Sequence, residues 1–361
     1  MIFLKLYLNI KKIYMKDNNQ VKILFLINSL SVGGAEGVFM KEKEELSLLG
    51  YQTEIYTLYP DNFKNLYDLK GYFELIQKIK KEKITHIYAT LDDANFVAKI
   101  VRIFVKFKLF CREANETHDK TLKFKIADIL LNFLVLKLVM VAEAVKQSYL
   151  SYDSYHKNKM TVLYNGVEIP EITREKKIQD PIKILAVGSL TPKKGFLDLI
   201  AIIRDYVGKN HSNFILEIVG DGPLLSEINL EIKRFNLEDK IKCLEGMDKA
   251  SLVQKYLDSD IFVLTSKKEG CPNVLLEAAS YGLAPVCFGV GAVPEIIENN
   301  ISGFVVPKGD KEAFGLALSN LLCDPKRVVE MGSRARKRMI DRFSFDGHIK
   351  KLLTVLELDS N

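Results

Sequence analysis

Cysteine is scarce in this 361-residue sequence: Cys111, Cys243, Cys271, Cys287 and Cys323 are odd in number, scattered, and form no C-x-x-C pair. That spacing argues against a disulfide framework or a structural zinc site, and suits a reducing compartment. Long apolar runs are missing as well. A membrane-spanning helix needs about 20 apolar residues, whereas the longest candidate, Ile129 to Ala142, is bounded by Asp128 and Glu143 and broken by Lys137. It reads as a buried helix running into a strand. The opening MIFLKLYLNIKKIY is apolar, but it lacks the small-residue cleavage site of a signal peptide and carries lysines on the wrong side of the run. Residues 1–20 are set apart as an N-terminal arm, either interfacial or a product of start-site choice, with Met15 as the natural start. No biased tract and no repeat of 20 to 50 residues is present, and with 48% apolar residues the chain is a globular protein long enough for two domains.

Charge is uneven. The net +6 lies wholly before residue 171, where 25 Lys+Arg face 19 Asp+Glu; the remainder carries 27 of each. Within 97–137, Lys and Arg alternate with bulky apolar residues. Two readings stand: contact with an anionic membrane surface, or core-packed elements with lysine stems along their edges. The basic residues accompany no nucleic-acid-reading motif.

From Val21 the run VKILFLIN leads through SLSVGGAE into a helical period, and YQTEIYTL (51–58), THIYAT (85–90), KLFCRE (108–113) and KLVMVAE (137–143) alternate with helical segments. This predicts a parallel sheet covered on both faces. PEITREKKIQDP (170–181) interrupts the pattern as a linker. A second alternating series follows: KILAVGS, FILEIVG, IKCLEG, IFVLTS, APVCFGV and GFVVP. The expected organisation is an arm (1–20), an N-terminal domain (21–169), the linker (170–181), a C-terminal domain (182–343) and a final helix (344–361) that folds back over the first domain. The class is α/β, with two Rossmann-like domains.

The most informative stretch is DIFVLTSKKEGCPNVLLEAASYGLAPVCFGVGAVPEII, 260–297. Glu269 follows a buried strand, Gly270 and Pro272 shape a tight loop, and Asn273 is expected to cap a helix carrying Glu277 about one turn in. Both carboxylates and the helix-start N–H groups then face the C-terminal end of a parallel strand, where such sheets bind ligands. The N–H groups favour a diphosphate, and the carboxylates accept from sugar hydroxyls. In VGSLTPKKGFLDLI (187–200), Lys194 and Gly195 end a strand-to-helix loop where a cation can neutralise phosphate. Phe196 after Gly195 rules out a Walker loop, and IVGDGPLL (218–225) lacks the third glycine of a dinucleotide fingerprint. Gly33 and Gly34 precede the first helix and let backbone approach a ligand, or simply form a turn. Asp92 and Asp93 fit helix capping better than a metal pair.

Taken in order and spacing, GGAE, YNGVE (164–168), VGSLTPKKG, VGDGP and EGCPNVLLEAASYGLAPV resemble family 4 glycosyltransferases of the two-domain B fold, GT-B, over nearly the whole chain from Val21. The resemblance implies two domains facing across a cleft. It implies a retaining, metal-independent hexosyltransferase with the donor in the C-terminal domain and the acceptor in the N-terminal one, often at the membrane surface. Glu269 is then implied to contact the donor sugar, Glu277 the ribose and Lys194 the diphosphate. Backbone at Gly34 and at Asn273, Val274 and Leu275 is implied to hold phosphates and sugar, with the loop at Gly246 and Met247 toward the base. Ser189 stands where the family often has Arg, and Ala114 and Asn115 where many members have a histidine, leaving His118 as an alternative.

The expected function is transfer of a hexose or N-acetylhexosamine from a nucleotide-sugar, a UDP-linked one foremost, to a lipid-linked or surface-polysaccharide acceptor. No cofactor, metal or nucleic acid is expected, and the location is cytoplasmic, on the inner membrane face. Two alternatives share the fold: a sugar-nucleotide epimerase and a noncatalytic partner subunit.

Overall fold

The computed structural model describes residues 20–30, 34–60, 62–171, 178, 180–208 and 213–358. The arm apart from Gln20, Gly33 and most of the proposed linker lie outside them. The chain divides into two units, Met1–Asn165 with His348–Asn361, and Gly166–Gly347.

Unit 1 alternates β1 (Lys22–Ile27), α1 (Gly34–Leu48), β2 (Gln52–Thr57), α2 (Leu69–Glu82), β3 (His86–Thr90), α3 (Asp92–Phe104), β4 (Lys108–Glu113), α4 (Leu122–Leu131), β5 (Lys137–Met140), α5 (Glu143–Leu150) and β6 (Met160–Val162). The strands form one parallel sheet in the order β2-β1-β3-β4-β5-β6. Residues 23–27, 87–90 and 109–113 are buried throughout, as strands covered on both faces require. The order reverses between β1 and β3, and there Asn28 Oδ1 accepts from the Ala94 N–H at 3.0 Å, tying the loop after β1 to the start of α3. Such a reversal is where doubly wound sheets open a ligand crevice.

A polar network runs through the unit's interior. Arg112 donates to Glu42 (3.2 Å) and to Asn165 (2.6 Å), while the ring nitrogens of His348 lie 2.8 Å from Glu42 and 2.7 Å from the Tyr164 carbonyl. All of Glu42, Arg112, Asn165 and His348 are buried, so the charges compensate one another inside the fold.

Unit 2 runs β7 (Ile182–Val187), α6 (Phe196–Ile202), β8 (Phe214–Val219), α7 (Leu225–Arg234), β9 (Ile241–Leu244), α8 (Lys249–Asp258), β10 (Ile261–Leu264), α9 (Asn273–Ser280), β11 (Ala284–Phe288), α10 (Val293–Ile296), β12 (Phe304–Val306), α11 (Lys311–Cys323) and α12 (Pro325–Arg338). A last helix, α13 (Phe345–Val355), begins in this unit and continues into unit 1. The parallel sheet has the order β12-β11-β10-β7-β8-β9 and reverses between β7 and β10, which pair through Ile184↔Ile261 and Leu185↔Phe262.

Candidate active site

The reversal between β7 and β10 puts two sequence-distant loops side by side. After β7, Pro192–Lys194 makes a single 3-10 turn and Gly195 turns the chain into α6 at φ +70°. That backbone region suits glycine, and space demands it as well: a Cβ at Gly195 would lie 2.1 Å from the Thr265 carbonyl oxygen. Thr265 Oγ1 donates to the Gly195 carbonyl at 3.0 Å, and the Lys267 N–H to the Lys193 carbonyl at 2.8 Å. These bonds lock the two loops together.

Their meeting brings Lys194 Nζ to 2.5 Å from Glu269 Oε1, with both side chains largely buried. Residues 75 apart in sequence thus become an ion pair at the C-terminal edge of the sheet. The Glu269 loop is held from its other side too. Gly291, at φ +51°, passes so close that a Cβ there would lie 2.1 Å from the Glu269 carbonyl oxygen, and the Ala292 N–H donates to Gly270 at 2.8 Å.

Beyond Gly270, α9 starts one residue earlier than the capping pattern suggests. Pro272 is the cap and Asn273 the first helical residue, so no side chain caps the helix. Proline there has no N–H to lose and presets φ. The Leu275 N–H bonds to the Pro272 carbonyl at 3.1 Å. The Leu275 N–H is thus engaged within the first turn, while Asn273 and Val274 stand ahead of it at the helix start. Both are half-buried.

Glu277, one turn along, accepts from Tyr256 Oη at 2.9 Å. Tyr256 is buried on α8, with the Tyr281 ring stacked at 5.4 Å. Burial and the adjacent Glu277 carboxylate raise its hydroxyl well above the ordinary phenol range, so it stays a donor. Sequence reading missed Tyr256, which lies 21 residues from Glu277 on the preceding helix and carries no local signal. It also gave no role to Thr265 or Gly291, although both stand in the stretch it singled out.

The neighbouring loops continue the edge. Leu190 donates its N–H to the Asp221 carbonyl at 2.7 Å, and Asp221 Oδ1 accepts from the Gly246 N–H at 2.8 Å, which sets the loop bearing half-buried Met247. Ser189 is exposed on the β7 loop. In unit 1, Gly34 is the exposed first residue of α1. His118 sits in a 3-10 turn, exposed, with Nε2 at 3.2 Å from Glu116. Asp92 and Asp93 lie in the first turn of α3 without capping it; Asp93 accepts from Tyr59 and Asp92 pairs with Lys120.

Residues 168–338 match the family described as Glycosyl transferases group 1. They form a group 1 glycosyltransferase domain. It contains Lys194 and Glu269 on its two tethered loops, and Asn273 and Glu277 on the helix that follows the second. The amylovoran biosynthesis glycosyltransferase AmsK of Erwinia amylovora is 31% identical over 208 residues, covering 55% of this chain and 51% of its own. The chain therefore spans about half the length of that relative. A UDP-Gal:alpha-D-GlcNAc-diphosphoundecaprenol alpha-1,3-galactosyltransferase of Escherichia coli is 23% identical over 312 residues, 81% of this chain and 80% of its own. Among solved structures, Anabaena Alr3699/HepE in complex with UDP superposes with a TM-score of 0.78 at 18% identity, over 94% of this chain and all of that one. The glycosyltransferase domain is thus one of two Rossmann-like domains of a GT-B fold.

Proposed function

We propose that the chain is a retaining, metal-independent glycosyltransferase that moves a hexose or N-acetylhexosamine from a UDP-sugar to a lipid-linked or surface-polysaccharide acceptor. The Lys194–Glu269 pair at the β7/β10 reversal carries this reading. An ammonium beside a helix start neutralises the departing diphosphate. Glu269, held by that cation, accepts from the donor sugar's hydroxyls, and Glu277, oriented by Tyr256, accepts from the ribose. The leaving diphosphate then takes the acceptor's proton as the new glycosidic bond forms on the face the diphosphate vacates. No protein base is required, and His118 has no assigned step.

The donor class is supported by the UDP and UDP-glucose complexes of the Anabaena protein, and the acceptor class by the diphosphoundecaprenol substrate in the name of the E. coli relative. A cytoplasmic site suits the five free cysteines.

The test is incubation of the full chain, in EDTA, with UDP-, GDP- and ADP-sugars and a GlcNAc-diphosphoprenol acceptor. UDP-dependent product with the donor's anomeric configuration is expected. Inverted product, activity restored only by Mn²⁺, or donor consumption indifferent to acceptor would each overturn a named part of the reading, and the last would favour an epimerase.

A further inference from the structure

α4 is built inside out. Its one buried residue is Asp128, which meets Lys99 at 2.5 Å, Lys120 at 2.8 Å and the Tyr152 hydroxyl at 2.8 Å. At its end, buried Asn132 donates to Tyr149 (2.9 Å) and Asp153 (2.8 Å). The outward face is apolar: Leu122, Ile126, Leu130 and Phe133 are 72%, 48%, 64% and 64% exposed. Their spacing of four, four and three is that of one helical stripe.

The helix cannot roll over to hide this stripe. Rolling would leave Lys99 and Lys120 buried without their shared carboxylate, and uncompensated buried charge is strongly destabilising. The inner polar contacts therefore hold the leucines and phenylalanine outward.

The surroundings specify what covers them. By helical position Lys123 and Lys125 fall on either side of the stripe; Lys123 is exposed and Lys125 half-buried, with their ammonium groups 5.1 Å from the Phe124 ring and 5.6 Å from the Tyr152 ring. Where α3 ends beside α4, Ile103, Phe104 and Lys106 are exposed as well. Glu113 and Asp128, two of the acidic residues between Arg102 and Lys137, are buried. An apolar stripe between lysines matches the boundary between acyl chains and anionic headgroups. A second protein would need acidic groups on both sides of an apolar ridge.

We infer that the outer face of α4, from Leu122 to Phe133, is a docking surface for an anionic lipid bilayer, with the stripe at the acyl boundary and Lys123 and Lys125 at the headgroups. No described helix is long and apolar enough to cross a membrane; the contact inferred is interfacial. It goes beyond the proposed reaction, being a property of unit 1 that holds whatever the acceptor.

Flotation of the full chain with phosphatidylglycerol/phosphatidylcholine vesicles and with phosphatidylcholine alone, without donor or acceptor, reads this contact separately from catalysis. Binding to the anionic vesicles, weakened by high salt, is expected. Ile126→Ser/Leu130→Ser/Phe133→Ser should lose it at least tenfold with an unchanged circular dichroism spectrum. Lys123→Gln/Lys125→Gln should lose about 25-fold on anionic vesicles, about five-fold per lysine, and little on neutral ones. No flotation at low salt, or flotation undiminished by the serine changes, would overturn the inference. So would a dimer in sedimentation that the serine changes dissociate, since a second copy would then cover the stripe.

Discussion

Tyr256 and Lys194 act on the same proposed ligand in different ways, and the difference is measurable. Tyr256 touches Glu277 and not the ligand, so Tyr256→Phe should loosen the carboxylate's orientation while leaving the core filled. A hydrogen bond to a charged group is worth about 1.5–3 kcal/mol, which predicts roughly tenfold or more weaker donor binding with kcat at saturation nearly unchanged. Calorimetry with the donor beside steady-state kinetics would show it; equal losses in Kd and kcat would mean that Glu277 acts on the reacting bond. Lys194→Ala should do the reverse. A cation at a developing charge contributes most in the transition state, so kcat should fall about 100-fold or more with a smaller change in donor affinity. Unchanged kcat would detach Lys194 from the leaving group. Lys194 and Glu269 are legible from sequence because each ends a strand and opens a helix within a few residues. Tyr256 is not, because its role exists only once α8 and α9 lie against each other.

At the level of elements, α4 separates local pattern from tertiary choice. The apolar run around Ile129 predicted a buried helix, and the helix forms, but its apolar side faces out because the competition for the interior was decided by charge. Lys99 from α3 and Lys120 from the loop after β4 converge on Asp128. Burial alone would push this carboxyl up; the two ammonium groups overcome it and hold the group at about 2. Asp128→Asn should therefore cost unit 1 about 3–5 kcal/mol at neutral pH, the range for breaking a buried pair from one side. Because the folded carboxyl lies below its ordinary value of 3.8, its contribution is complete above about pH 4 and disappears as pH falls toward 2. Thermal unfolding of wild type and Asp128→Asn should converge across that window. A gap that stays constant to pH 2 would show that the carboxyl's charge is not what anchors α4. The start of α9 shows the same limit more gently. Local chemistry indicated a helix capped by Asn273, but the path of the loop set Pro272 as the cap and Asn273 as the first helical residue.

Across the whole molecule, the residues proposed to bind the donor's sugar, diphosphate and ribose through their side chains, Glu269, Lys194 and Glu277, all belong to unit 2. Donor at about 100 times its Kd should stabilise that unit by roughly 2.7 kcal/mol. Hydrogen exchange should slow at 188–195 and 265–277, and far less in the sheet of unit 1. Equal protection of both sheets would mean that the units unfold together or share the ligand. The sequence by itself determined the α/β class, the two parallel sheets and the glutamates and lysine at strand ends, because each depends on periodicity and turn chemistry within a dozen residues. It also showed that the basic excess lies before the linker. Tertiary structure decided the strand orders, and so which loops become neighbours: Lys194 meets Glu269 only because β7 pairs with β10, with β8 and β9 placed on the far side. It decided, too, that Tyr256 orients Glu277 and that α4 turns its leucines outward. Pairing between distant strands and the partnering of buried charges depend on what the rest of the chain brings alongside, and no local window of sequence contains that information.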